Sequence, residues 1–292
     1  MKNQETNQKS LFINKAIDLL INNQDGIYID CTYGSGGHSK KILKRLSKKG
    51  KLIAIDNDFN TKIYAKKIIR DKRFKLININ FNKLENFAFK KKLGKVSGIL
   101  LDLGISKNQI KDFKRGFSFY KNGPLDMRIN NNLGIKASEM LNNYKKKEIL
   151  NILKKYGEDK KSNKITNEIC KRRIKYPFKM TLELSNLIKK IKFKKNKTHP
   201  ATKVFQSIRI YINNELTNLE KVIISSLDLL DINKKLIIIT FNSLESTLIK
   251  SLIKTNTINK KKYNLKKIYP NKEELIFNKS SRSATMYVIK KN

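Results

Sequence analysis

The residues with chemical potential concentrate in one run, Ile27-Tyr-Ile-Asp-Cys-Thr-Tyr-Gly-Ser-Gly-Gly-His-Ser39, where an apolar stretch ends at an acid and opens into three nearby glycines. Glycines at such a junction let a ligand approach the backbone more closely than any Cβ allows, and they supply turns that need positive φ. Gly34, Gly36 and Gly37 therefore read as the cradle of a nucleotide-containing cofactor, although an ordinary glycine-rich turn carries the same letters. A second acid, Asp56, closes the apolar run 52–55 roughly 20 residues past the glycines, the spacing at which a carboxylate accepts both hydroxyls of a cofactor ribose. A third, Asp102, closes the apolar run 98–102 and leads into Leu103-Gly104-Ile105-Ser106.

These acids need rigid elements to hold them at one edge. Residues 27–31 have the length and β-branched content of a buried strand, and from Ser39 the pattern turns helical, with Ile42, Leu43 and Leu46 on one face. Strand, glycine loop, helix, strand and acid make one βαβ unit with a right-handed crossover, so a cofactor should lie across the carboxyl ends of its strands. A helix precedes this unit through Leu11, Phe12, Ala16, Ile17 and Leu20, behind a loose lead-in at 1–10. Residues 74–79 read as a third strand ending near Phe81, a residue that either faces the cofactor or is an ordinary core phenylalanine.

After the fourth strand the period changes. Residues 108–135 are too irregular for a helix and too apolar for a linker, and a long aromatic loop inside a compact fold is usually functional or structured by a ligand. From 137 to about 191 the pattern is helical without strand signals, which gives an inserted helical domain at 108–199 between the parts of an α/β domain at 1–107 and 200–292. A long helix is expected from His199-Pro200, with Phe205, Ile208, Ile212, Leu216, Leu219 and Ile223 at spacings of three and four. Residues 236–241 form a fifth strand and 283–290 a closing strand, separated by a basic, apolar-poor and mobile stretch at 254–272.

Composition adds a partner class. The 292-residue chain has a formal net charge of +41, which favours polyanion binding, yet Lys, Asn and Ile crowd every segment as AT-rich coding alone would impose. Cys31 and Cys170 lack paired-ligand spacing, which argues against a disulfide framework and a zinc site and fits a reducing cytoplasm. No signal-peptide pattern and no uncharged apolar run of about 18 residues is visible, so a soluble protein without a membrane partner is expected.

With these segments in place, the chain closely resembles the bacterial ribosomal RNA small-subunit methyltransferase H family over nearly its whole length. The resemblance is carried by residues 28–38, 54–56 and 98–104, by Arg115-Gly-Phe-Ser-Phe119 and Gly123-Pro-Leu-Asp-Met-Arg128, by His199-Pro-Ala-Thr202 with Phe205, Gln206 and Arg209, and by Ser243-Leu-Glu245. It implies a class I methyltransferase fold, a Rossmann-like, mostly parallel sheet with one strand reversed near the end and a helical substrate-recognition insertion. It also implies S-adenosyl-L-methionine as donor and, as substrate, the N4 amine of a cytidine in 16S rRNA of the small ribosomal subunit, at the decoding centre. By motif match Gly36, Gly37 and His38 line the methionine side of the cofactor, Asp56 holds its ribose, and Phe81, Asp102 and Gln109 complete the pocket. Read without the family, His38 is a loop histidine capping the helix, and Gln109 is an isolated polar residue.

Methyl transfer from a sulfonium needs alignment and exclusion of water rather than a covalent nucleophile. Asp102 is placed to accept a hydrogen bond from the target amine and equally to bind cofactor; it is assigned to the cofactor, and no catalytic residue and no metal ligand is assigned. Phe117, Phe119 and Tyr120 are candidates for stacking on the splayed-out base. Arg115, Lys121, Arg128 and Arg209 are candidates for gripping phosphates, each being by itself an ordinary surface charge or internal salt bridge. The chain departs from the family at Gln8 and Lys15, at Ser35 in the glycine turn, and at Asn242 and Ser246, where histidine and aspartate are usual. Three other classes share parts of this pattern: a nicotinamide-dependent dehydrogenase, a DNA amino-methyltransferase and a non-catalytic RNA-binding assembly protein. The sequence does not set an oligomeric state.

Overall fold

The structure is a computed structural model that describes residues 12–66, 68–192, 198–255, 258–259, 261–277 and 282–292. The lead-in at 1–10, Leu11 and the departure at Gln8 lie outside them. In chain order the elements are α1 (Ile13–Leu20), β1 (Ile27–Asp30), α2 (Gly37–Arg45), β2 (Lys51–Ile55), α3 (Thr61–Ala65), β3 (Phe74–Ile77), α4 (Leu84–Lys90), β4 (Val96–Asp102) and α5 (Lys107–Lys111). Then come α6 (Ala137–Asn143), α7 (Lys146–Gly157), α8 (Ser162–Lys175), α9 (Thr181–Ile191), α10 (Thr202–Ile212), α11 (Glu215–Leu229), β5 (Leu230–Thr240), α12 (Ser243–Lys254), β6 (Tyr263–Ile268), α13 (Lys272–Phe277) and β7 (Thr285–Lys291). The chain divides into two compact units, one through Gly104 and again from Leu216, the other Ile105–Glu215.

The first unit is built on a seven-stranded sheet in the order β3-β2-β1-β4-β5-β7-β6. β1, β2, β3, β4 and β5 pair in parallel, while β7 pairs antiparallel with both β5 and β6, so β7 alone runs against the rest. This is the class I methyltransferase order, with its reversed strand near the end. Because both faces are covered by helices, the central strands are apolar on both sides. Along β5, Ile237 and Ile239 pack with α1 and α2 through Ala16, Ile17 and Ile42, whereas Leu236 and Ile238 pack with α11 and α12 through Leu219, Ile223 and Ile249. Strand order reverses between β1 and β4, and the carboxyl ends around that switch are where a ligand binds in such sheets.

The basic stretch at 254–272, expected to be mobile, contains strand β6. It escapes notice because exposed lysines on both faces of this edge strand interrupt its apolar pattern: Lys266 and Lys267 are exposed, while Leu265 and Ile268 pack on the two sides of the sheet. Edge lysines also discourage pairing with a second chain.

In the second unit α6 to α10 enclose their own core, including Leu141, Ile149, Ile165, Leu184 and Ile208. The boundaries differ from those expected at 107/108 and 199/200. The expected single helix from His199 is broken at Asn213 and Asn214: Asn214 takes φ 50°, and Asn213 spends its amide on the 127–129 loop, accepting from Ile129 N at 2.7 Å and donating to Met127 O at 2.9 Å. Its first half, α10, thereby packs in the second unit and its second half, α11, in the first. The irregular loop is held by this unit's own packing. Phe117, Leu125 and Met127 are buried in its core, and Gly116 takes φ 74° where a Cβ would stand 2.3 Å from Pro124 O.

Candidate active site

Asp30, Asp56 and Asp102 stand at or just beyond the carboxyl ends of β1, β2 and β4, three neighbours in the sheet. Asp30 is fully buried; its Oδ2 accepts from Ser39 Oγ at 2.6 Å and its Oδ1 from Thr32 N at 3.1 Å. Burial outweighs these bonds and pushes its pKa up to about 6. Asp56 ties down the glycine loop: Oδ2 accepts from Gly34 N at 2.7 Å and Oδ1 from Asp58 N at 2.8 Å. Its pKa is pushed up to about 7, first by burial and then, against those two bonds, by Asp58 and Asp30. Each oxygen keeps a second lone pair for a hydroxyl donor.

Asp102 is the most perturbed of the three. Its backbone N–H donates to Thr32 Oγ1 at 2.6 Å, its Oδ2 lies 3.5 Å from His38 Nδ1, and its buried Oδ1 has no hydrogen-bond partner among the described residues. A quarter of the side chain is accessible, yet burial of the carboxyl, reinforced by Asp30 and Glu245, raises its pKa to about 8. No lysine or arginine among the described residues pairs with any of these three carboxylates. Buried carboxylates without a counter-charge are costly, and a cationic ligand removes that cost.

The loop above them is shaped for close approach. Gly36 takes φ 77°, and a Cβ there would stand 2.5 Å from Tyr33 Oη; Tyr33 is itself buried against Phe74 with ring centroids 5.8 Å apart. Gly36 is the N-cap of α2 and Gly37 its first residue. His38, the second, places its Nδ1 3.5 Å from Asp102 Oδ2. Phe81 opens a 3-10 turn after β3 and is half-buried against the same side of the sheet as Ile29 and Ile55. Gln109 lies in the second unit, where its Oε1 accepts from Ser106 N at 2.8 Å and its N–H donates to Ser106 Oγ at 3.2 Å, the capping box of α5.

A profile of the MraW methylase family matches residues 5–292. The chain belongs to that family. It is 41% identical over 301 residues to the ribosomal RNA small subunit methyltransferase H of Vesicomyosocius okutanii subsp. Calyptogena okutanii, covering 97% of this chain and 98% of that one. It is 44% identical to the protein of the same name from Buchnera aphidicola subsp. Cinara cedri, covering 95% and 97%. Against that of Buchnera aphidicola subsp. Acyrthosiphon pisum (strain Tuc7) it is 48% identical over 246 residues, covering 83% and 78%. As an MraW methylase the chain uses S-adenosylmethionine, and the site's residues fit that cofactor: Asp102 offers an uncompensated carboxylate to its positive charge, Asp56 offers acceptor lone pairs to its ribose hydroxyls, and the glycine turn admits close approach. The nicotinamide dehydrogenase reading falls with this assignment.

Family membership also gives the departures a structural meaning. Asn242 replaces the usual histidine as the N-cap of α12: its Oδ1 accepts from Glu245 N at 3.0 Å, and Glu245 Oε2 accepts in return from Phe241 N at 2.7 Å. Ser246, in place of the aspartate, sits 3.1 Å from Thr240 Oγ1. Lys15 is exposed on α1, and Ser35 is exposed on the turn.

Three of the four cations picked for phosphate have internal employment instead. The Arg115 guanidinium is buried and donates to Arg128 O at 3.2 Å and Ile129 O at 2.6 Å. Arg128 makes a two-pronged ion pair with Asp126, at 2.7 and 2.8 Å, and Arg209 does the same with Glu215, at 2.8 and 2.9 Å. Only Lys121 among them presents an exposed side chain, because the others stitch the irregular loop and the α10–α11 break, where the chain has no ladder of its own. Asp30, missing from the sequence-derived site, was detectable as the acid closing the first strand. Among the described residues no cluster of metal-ligating groups occurs, and no helix is long and apolar enough to cross a membrane.

Proposed function

We propose that this chain methylates the N4 amine of a cytidine in 16S ribosomal RNA of the small ribosomal subunit, at the decoding centre. The relatives' shared name supports ribosomal RNA of the small subunit as substrate. The observation that carries the choice of an amine is Asp102, with its buried, uncommitted Oδ1 at the mouth of the strand switch. An exocyclic amine is a poor nucleophile because its lone pair is delocalised into the ring, and an acceptor bonded to its N–H draws that pair out. Methylation at a ring carbon instead requires a thiolate nucleophile, and Cys31 is buried with its thiol pushed well above the usual range by that burial.

When bound, S-adenosylmethionine supplies an electrophilic methyl on a sulfonium, with a neutral thioether as leaving group. The chain's residues provide alignment. Gly36 and Gly37 set the close approach, Asp56 holds the ribose hydroxyls while keeping the loop in place through Gly34 N, and Asp102 balances positive charge, with His38 orienting its second oxygen. Phe81 contributes an apolar wall at the end of β3. Gln109 stays in the set on family resemblance, its oxygen being engaged in the capping box. The inserted helical unit is the substrate-recognition domain, and the target base is unstacked before reaction, since its amine is inaccessible within a stacked helix.

Transfer of labelled methyl from S-adenosylmethionine to small subunits from cells lacking the modification, followed by nucleoside analysis, tests the proposal. N4-methylcytidine is the expected product. Label on another nucleoside overturns the amine assignment, and label on duplex DNA alone overturns the substrate.

A further inference from the structure

Three rings cluster at the edge of the inserted unit's core, against which Phe119 packs. The imidazole of His199 stacks on Phe119, centroids 4.5 Å apart and planes within 12°. Tyr120 meets that imidazole edge-on at 4.9 Å and Phe119 at 4.8 Å. Phe205, buried on α10, supports Phe119 edge-on at 5.5 Å. The backbone that presents the rings is pinned: Ser185 Oγ donates to Phe119 O at 3.0 Å, and Ser118 Oγ accepts from Tyr120 N at 3.2 Å and Lys121 N at 3.1 Å. Tyr120 is nevertheless 71% exposed, so a large ring is held rigidly in water. An ordered, solvated aromatic ring presents a preorganised π face to a partner.

The polar edge of His199 points the same way. Its Nδ1 accepts from Ala201 N at 3.2 Å, which puts the proton of the neutral ring on Nε2. Burial and then Lys189 lower its pKa, keeping the ring neutral. Nε2 is buried and has no hydrogen-bond partner among the described residues. A buried N–H without an acceptor costs stability until a ligand provides one.

The geometry points to a stacking site for one unpaired nucleotide of the RNA strand, the Tyr120 ring taking the base and His199 Nε2–H donating to an acceptor on the same nucleotide. The inference rests on the RNA substrate proposed above and locates a contact that the arginines, occupied internally, do not provide. Charge selects the partner. Lys121 and Lys189, both exposed, flank the cluster on a chain of net charge +41, which suits a polyanion carrying π faces.

The test uses the full-length protein and single-stranded RNA of small-subunit sequence bearing 2-aminopurine. Tyr120→Ala is expected to raise the Kd about fivefold or more and to remove the fluorescence quenching that stacking produces. Tyr120→Phe keeps the ring and should bind within about twofold of the unaltered protein, as expected if the contact is stacking. His199→Phe preserves the stacked pair but not the N–H, and should weaken binding while leaving quenching in place. S-adenosylhomocysteine binding, unchanged throughout, shows that the variants are folded. Equal Kd and quenching for Tyr120→Ala overturn the site, as does failure of the unaltered protein to bind single-stranded RNA. Methyl transfer to small subunits, run in parallel, separates the two ideas. Transfer with an indifferent Tyr120→Ala sinks the stacking site alone, whereas ring-dependent RNA binding without transfer sinks the enzymatic reading alone.

Discussion

Cofactor binding should release protons, and the size of the effect follows from two of the buried acids, Asp102 and Asp56. With its pKa near 8, Asp102 is protonated in about nine molecules in ten at pH 7, and Asp56, near 7, in about half. Positive charge at Asp102 and hydroxyl donors at Asp56 both select the ionised carboxylate, so each must lose its proton before the full interaction forms. Between pH 8 and pH 7 the Kd should therefore rise toward about tenfold per unit as Asp102 is neutralised, about 1.4 kcal/mol. Below pH 7 Asp56 joins, and the slope steepens toward about two decades per unit. The assay is calorimetric titration with S-adenosylhomocysteine, which retains the ammonium, from pH 6 to pH 8 in buffers of different ionisation enthalpy. Buffer-dependent heats should report between about one and two protons released at pH 7. Asp102→Asn should flatten the slope between pH 7 and pH 8, keep the steeper dependence below pH 7, and cost about 1.5–3 kcal/mol at pH 8 through loss of a charge-assisted bond. A Kd that does not change from pH 6 to pH 8, with heats independent of buffer, would refute the idea that the carboxylates are uncompensated before the cofactor arrives.

The same shifts carry a stability consequence of opposite sign to ordinary acid denaturation. Acids whose folded pKa is raised bind protons in the folded state that the unfolded chain has lost, so their contribution is complete below about pH 4 and disappears as pH rises through about 6, 7 and 8 for Asp30, Asp56 and Asp102. In urea titrations the cofactor-free protein should lose stability between pH 7 and pH 8, and Asp102→Asn should remove most of that loss, leaving the smaller part due to Asp56. Gly36→Ala places a Cβ against Tyr33 Oη in a left-handed conformation; it should cost at least about 1–2 kcal/mol and abolish calorimetric binding of S-adenosylhomocysteine. Arg128→Ala strands Asp126, of which the side chain is 12% exposed, and should lower stability by about 3 kcal/mol, with Asp126→Ala/Arg128→Ala losing less than the sum of the single changes. Asn242→Ala should cost about 1 kcal/mol in urea denaturation through loss of the α12 cap, while Asn242→Ser retains most of it.

Legibility tracked how local each signal was. The strands β1, β2 and β4 could be read because burial on both faces leaves a short apolar run, and each run ends in an acid whose place at the strand terminus follows from the run itself. The glycine loop was legible for the same reason: Gly36 needs φ 77° in a position fixed by its neighbours in sequence. β6 was not, since an edge strand with exposed lysines has only half a pattern. The α10–α11 break was hidden because the apolar spacing runs through it unbroken; what stops the helix is the amide of Asn213 bonding to a loop more than 80 residues earlier. The sequence left Arg115, Arg128 and Arg209 open between phosphate contacts and internal salt bridges, since whether a guanidinium faces solvent, a carbonyl or a carboxylate depends on contacts no periodicity encodes.

The acids and the departures from the family pattern belong to one physical problem. A sheet that binds a cation at its switch point must keep carboxylates buried while the ligand is absent, and each uncompensated carboxylate weakens the fold. Backbone N–H groups relieve part of that cost: Thr32 serves Asp30, Gly34 and Asp58 serve Asp56, and Phe241 serves Glu245. Asp102 Oδ1 has neither a backbone nor a side-chain donor among the described residues, at the point where charge must be available to a ligand. In this setting asparagine at position 242 serves as a neutral cap. A histidine there would add a titrating group beside Glu245, which itself acts on Asp102, whereas the amide caps α12 with no charge at all.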